Sequence, residues 1–99
     1  MSFAVLAEPT RREILDLLRQ GEQPVGALVE ELDLSQPAVS KHLRVLRDAG
    51  LVEVRPQAQR RLYRLRLEPL AEIDEWLAPF RRMWRRSLDK LDQHLEDNP

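Results

Sequence analysis

The 99-residue sequence has no cysteine. Disulfides, thiolate metal sites, CxxC redox chemistry and a cysteine nucleophile are excluded together. Its three glycines are dispersed, so no glycine-rich phosphate loop is present. No apolar run approaches the roughly 18 residues that a membrane span needs. Residues 1–7 lack a basic n-region and are too few for a signal peptide. No membrane partner is expected, and the protein is expected in the cytoplasm. Paired carboxylates in a recognisable pocket are also missing. Ser40 and His42 lie two positions apart and so point in different directions on a helix. An enzyme is therefore not expected, and no cofactor is implied.

What is present is a globular balance, with 42% hydrophobic and 33% charged residues. The length suits a single domain over residues 1–99 whose thin core a second subunit would extend. Net charge is −1 but unevenly spread: −4 over residues 1–34, +6 over 35–67 and −3 over 68–99. A basic middle between acidic flanks fits a local polyanion-binding surface, and it also fits an ordinary solvated face.

Apolar spacing divides the chain into elements. Residues 3–7 read as a short helical opening. Pro9 suits the first turn of a helix whose stripe is Ile14, Leu15, Leu17 and Leu18, with Gly21 as its stop. A short helix after Pro24 carries Val25, Leu28, Val29 and Leu32. Asp33-Leu34 makes a tight link. Ser35 is an N-cap with Pro37 in the first turn, and this helix runs to about Ala49 before Gly50 ends it. The period then changes. Leu51, Val52 and Val54, then Leu62, Leu65 and Leu67 with Tyr63 between, read as two strands joined by Pro56-Gln57-Ala58-Gln59. Glu68-Pro69 opens a last helix with Leu70, Ile73, Leu77, Phe80, Trp84, Leu88, Leu91 and Leu95 on one face. Pro79 predicts a kink or break in it, and the tail after Leu95 is expected to fray.

Two short helices, a tight turn and a hairpin make a mainly α fold, a winged helix-turn-helix. The helix-turn-helix covers about residues 25–49, the wing about 51–67 and the last helix about 69–95. In the second helix, Val39, Leu43 and Leu46 should face inward. Gln36, Ser40 and Arg44, flanked by Lys41 and Arg47, then face outward. Gln pairs with adenine, Arg with guanine and Ser with either, and no carboxylate stands among them to repel phosphate. The helix start at Ser35-Gln36 offers free N–H groups to a phosphate. Arg55, Arg60, Arg61 and Arg64 gather at and beside the hairpin tip, where arginine suits phosphate and the minor groove. Charge protecting an edge hairpin is the alternative reading of that cluster. Double-stranded DNA is thus the expected partner. The competing reading is a winged-helix protein–protein interaction module without DNA binding, whose outer face would be apolar or of mixed charge. For His42, a bond to DNA and packing against the preceding helix remain equally open.

The segments Ala7-Glu8-Pro9-Thr10-Arg11-Arg12-Glu13-Ile14-Leu15, Leu34-Ser35-Gln36-Pro37-Ala38-Val39-Ser40-Lys41-His42-Leu43 and Ala49-Gly50-Leu51-Val52 resemble the ArsR/SmtB family of bacterial transcriptional repressors. The resemblance implies a homodimeric winged-helix repressor on an imperfect palindrome, with Ser35, Gln36, Ser40, Lys41, His42 and Arg44 facing DNA. It also implies dimerisation through the first and last helices, involving Phe3, Leu6, Trp76, Phe80, Trp84 and Leu88. An intramolecular core under the last helix is the other reading of those aromatics. Thiolate positions of the metal-sensing relatives match Pro24, Gly26 and Val29, none of which ligates. Asp92-Gln93-His94 resembles half of a second family site, whose other half would lie beyond Pro99. Two ligands per subunit do not close a tetrahedral site, so no metal is expected and His94 reads as solvent-exposed. The wing turn lacks the glycine of many relatives and with it easy access to positive φ. The effector, a small molecule or a protein, is left open.

Overall fold

The protein is described here by a computed structural model covering residues 3–97, without the side chains of Phe3, His94, Glu96 and Asp97. The interface role expected of Phe3 and the exposure expected of His94 lie outside this description. The chain divides into two units, Met1–Pro69 and Leu70–Pro99.

The first unit opens with a 3-10 helix, Phe3–Ala7, followed by α1, Pro9–Arg19. The Glu8 carboxylate caps α1 by accepting from the Thr10 N–H at 3.4 Å. Pro9 stands at the first position, where its missing donor costs nothing. From the same turn, Arg11 and Arg12 reach back to the opening segment and donate to the carbonyls of Val5 (3.4 Å) and Leu6 (3.1 Å). Next come β1 (Gln23–Pro24) and α2 (Val25–Leu32). α2 ends on Asp33 in the left-handed region, whose N–H donates to the Val29 carbonyl at 3.0 Å.

α3, Gln36–Asp48, has the cap expected of it: the Ser35 hydroxyl accepts from the Ala38 N–H at 3.3 Å. Its C-terminus forms a Schellman motif. Gly50 at φ 79° donates to the Arg47 carbonyl (2.9 Å), and Leu51 donates to the Leu46 carbonyl (3.0 Å). This closure turns the chain into β2 (Val52–Gln57), which pairs with β3 (Arg60–Leu65). β1 adds to the far side of β3, giving an antiparallel sheet in the order β1-β3-β2. Two residues are too short to show any periodicity, so nothing in the sequence announced β1. The core gathers Ile14 and Leu18 of α1, Leu28 of α2, Val39, Leu43 and Leu46 of α3, and Leu51, Val52 and Leu62.

α4, Leu67–Asp97, differs from expectation at its two ends and in being unbroken at Pro79. Leu67 begins this helix instead of ending the second strand. Pro79 lies inside it without breaking it, because a proline removes one backbone bond while the following turns continue to pair. The helix also extends past Leu95. Over the second unit, Trp76, Phe80, Met83, Trp84, Leu88, Leu91 and Leu95 fall on one helical face, each at least 40% exposed. The rings of Trp76 and Phe80, one turn apart, have centroids 4.7 Å apart.

The hairpin turn is shorter than the four residues expected. Gln57 pairs with Arg60, leaving the loop Ala58–Gln59, and Ala58 adopts φ 54°. A positive φ is therefore reached without glycine, at the steric cost that a Cβ brings there. Gly50→Ala and Ala58→Gly should thus act oppositely. The first should cost about 1–2 kcal/mol by placing a Cβ at a left-handed cap. The second should gain roughly 0.5–1 kcal/mol net of the flexibility glycine adds. Urea unfolding midpoints read both effects, and shifts of equal sign would contradict this assignment of strain.

Candidate nucleic-acid interface

With Val39, Leu43 and Leu46 at most 1% exposed, the rotation of α3 about its axis is fixed. Gln36, Lys41 and Arg44 are consequently exposed and Ser40 is half-buried. Two adjoining grooves run beside this face. One, of about 490 Å³, is lined by Gln36 and Ser40 of α3, by Arg60, Arg61 and Tyr63 of the wing, and by the start of α2. The other, of about 340 Å³, is lined by Ser40, Arg44, Arg47 and, at its α3 C-terminal end, Asp48, together with Arg61 and Tyr63. Ser40, Arg61 and Tyr63 line both. Of the residues expected at the site, Gln36, Ser40, Arg44, Arg60 and Arg61 are therefore brought together.

Others are placed differently. Side chains paired across an antiparallel ladder share a face. Tyr63 opposite Val54 and Arg61 opposite Pro56 share one face, whereas Glu53 opposite Arg64 and Arg55 opposite Leu62 share the other. On that second face Arg64 Nε lies 2.6 Å from Glu53 Oε1. Arg55 pairs with Glu22, its Nε 3.2 Å from Oε2 and its Nη2 bonded to Oε1. The hydrogen bond from Arg55 holds the Glu22 carboxyl below the usual carboxylate range. Four wing arginines thus separate into two ion-paired ones and Arg60 and Arg61, which have no acidic partner among the described residues. Ser35 holds its hydroxyl toward the Ala38 N–H.

His42 is half-buried, and its Nδ1 accepts from Arg11 Nε at 3.4 Å. The ring's remaining N–H is then on Nε2. Arg11 therefore bridges three elements: α1, the opening segment through the Val5 carbonyl, and α3 through His42. Tyr63 was missed at the sequence level. Its signal was its place two residues along a strand from Arg61, which puts both on one face. Among the described residues no group of three or more His, Asp or Glu is placed to hold a metal ion, and no helix is long and apolar enough to cross a membrane.

Residues 8–54 match the family described as bacterial regulatory protein, arsR family. The HTH-type transcriptional regulator Rv2034 of Mycobacterium tuberculosis is 42% identical over 95 residues, covering 96% of this chain and 86% of that protein. This chain belongs to the arsR family. The transcriptional repressor SdpR of Bacillus subtilis is 33% identical over 78 residues, covering 79% of this chain and 87% of that protein. Among solved structures, an ArsR-like transcriptional regulator from Rhodococcus sp. RHA1 superposes with a TM-score of 0.72 at 33% identity, covering 92% of this chain and 86% of that one. The protein is accordingly a DNA-binding transcriptional regulator of winged helix-turn-helix fold and not an enzyme. It is an arsR-family member without cysteine.

The bridge between Arg11 and His42 yields a test. Arg11→Ala and His42→Ala should each destabilise by about 1 kcal/mol. In a double-mutant cycle the two changes should couple by roughly 0.5–1 kcal/mol. Strict additivity would mean that the bond contributes nothing.

Proposed function

We propose that the protein is a homodimeric repressor that binds an imperfect palindromic operator in the cytoplasm. Gln36, Ser40 and Arg44 read base edges in the major groove, while Ser35, Lys41, Arg60 and Arg61 hold the phosphate backbone. Arg55, paired with Glu22, contributes less, and His42 serves first to fasten α3 to α1. The observation that carries this reading is the carboxylate-free row Gln36, Ser40, Arg44, which shares its grooves with the two wing arginines that lack acidic partners. Repression is supported by a relative that bears the name repressor. The exposed face of α4, with Trp76, Phe80, Trp84 and Leu88, favours self-association, because apolar stripes of this size on soluble chains mark interfaces. Leu6 of the opening segment belongs to the same proposed interface. A twofold dimer sets two recognition helices about 34 Å apart, one turn of DNA.

Fluorescence-anisotropy titration of promoter DNA against a scrambled duplex, at two salt concentrations, tests the reading. Preference for the promoter, saturating at two chains per duplex, supports it. Equal binding to both duplexes contradicts sequence-specific recognition, and no binding even at low salt favours the interaction-module alternative. Arg44→Ala should cost ~1–3 kcal/mol on the promoter and relax one base position. Arg61→Ala should lower the salt slope by about one unit on any sequence, and Arg55→Ala should lower it less. Leu88→Asp should shift the sedimentation coefficient from dimer to monomer, whereas an unchanged dimer would place the interface elsewhere.

A further inference from the structure

Two of the three glycines have a conformational reason to be glycine: Gly21 and Gly50 both lie at positive φ. Gly26 does not. It is the second residue of α2, in right-handed helical conformation and exposed. A Cβ built on it meets no atom within 4 Å. Alanine would fit that space and favour the helix, since glycine is among the poorest helix formers. Nothing in the free chain calls for glycine at this position. A glycine also serves where another molecule must approach the backbone more closely than a methyl group permits.

The surroundings indicate what that molecule is. Gly26 lines the same groove as Gln36, Ser40, Arg60, Arg61 and Tyr63. Neither arginine has an acidic partner among the described residues, and no carboxylate lines the groove. Two guanidinium groups supply positive charge, and the Tyr63 hydroxyl supplies a neutral donor. This set matches an anionic chain rich in oxygen acceptors. We propose that the sugar–phosphate backbone of DNA runs along the wing and α2 side of this groove, with Gln36 and Ser40 facing the bases, and passes directly against the Cα of Gly26, so that any side chain there holds the duplex off. The proposal rests on the DNA-binding reading above and adds to it the α2 edge of the interface. Contact with the backbone carries no sequence information. The effect of filling the notch is therefore the same on every duplex.

Gly26→Ala and Gly26→Leu are titrated by anisotropy against the promoter duplex and the scrambled duplex, and the Tm of each variant is measured without DNA. For Gly26→Ala the Tm should stay level or rise by roughly 2–4 °C, because the helix gains a better former. Its Kd should rise about tenfold on both duplexes, and further for Gly26→Leu. Opposite movement of stability and affinity is the signature of a residue kept for its partner. Wild-type affinity in both variants would overturn the proposal. So would a loss confined to the promoter, which makes the position a base contact, and so would a fall in Tm for Gly26→Ala, which makes the glycine structural. If the wild-type protein binds neither duplex, the DNA-binding reading fails and takes this inference with it. If the wild type binds and the variants match it, only the Gly26 inference fails.

Discussion

The burial of Val39, Leu43 and Leu46 governs the rest of the molecule, because three anchors spaced four and three apart fix a helix against rotation about its own axis. Once they are seated against Leu28 of α2, Ile14 and Leu18 of α1 and the start of the sheet, the opposite row has no freedom over where it points. Gln36, Ser40 and Arg44 face outward as a consequence of packing and not by any interaction of their own. Specificity in such a protein is thus inherited from its core. The capping at both ends of α3, by Ser35 and by Gly50, sets its length and launches the wing from a defined point.

Electrostatics then divides what composition alone could only count. Residues 35–67 carry a net +6, yet the sheet distributes that charge between two faces. Acidic residues from outside and within the hairpin, Glu22 and Glu53, hold Arg55 and Arg64 on one face. Arg61 on the opposite face and Arg60 at the hairpin tip are left without an acidic partner among the described residues, both lining the groove beside α3. Exposed pairs of this kind contribute little to stability. Their consequence is selective: they lower the number of arginines available to a polyanion and concentrate the available ones next to the reading helix. Arg11 plays a comparable organising role on the other side, tying the opening segment and α3 to one guanidinium.

Much of this was legible in the sequence. Proline and serine at helix starts, glycine at the α3 terminus and the 3-4 spacing of leucines are local signals, and each of those elements formed where its signals stood. The row Gln36, Ser40, Arg44 followed directly from the predicted inner face. What was not legible depends on tertiary partners. β1 exists because β3 offers it an edge. Arg55 is occupied because Glu22, more than thirty residues away, folds onto it. His42 meets Arg11, thirty-one residues away, a partner that no local pattern announces. Tyr63 joined the site through strand alternation combined with the sheet's orientation, which no local pattern fixes. Leu67 erred in the opposite direction, a strand-like apolar run giving way to the start of a long helix, and of the kink or break expected at Pro79 the break did not occur.

The central claim is that one surface of each subunit, α3 with the wing tip at Arg60 and Arg61, meets DNA, and that two such surfaces act together. Hydroxyl-radical footprinting of the wild-type protein on its own promoter tests this most directly. The account predicts two protected backbone segments related by approximate dyad symmetry and centred about 10 base pairs apart. A single unsymmetrical footprint, or uniform protection without boundaries, would contradict it.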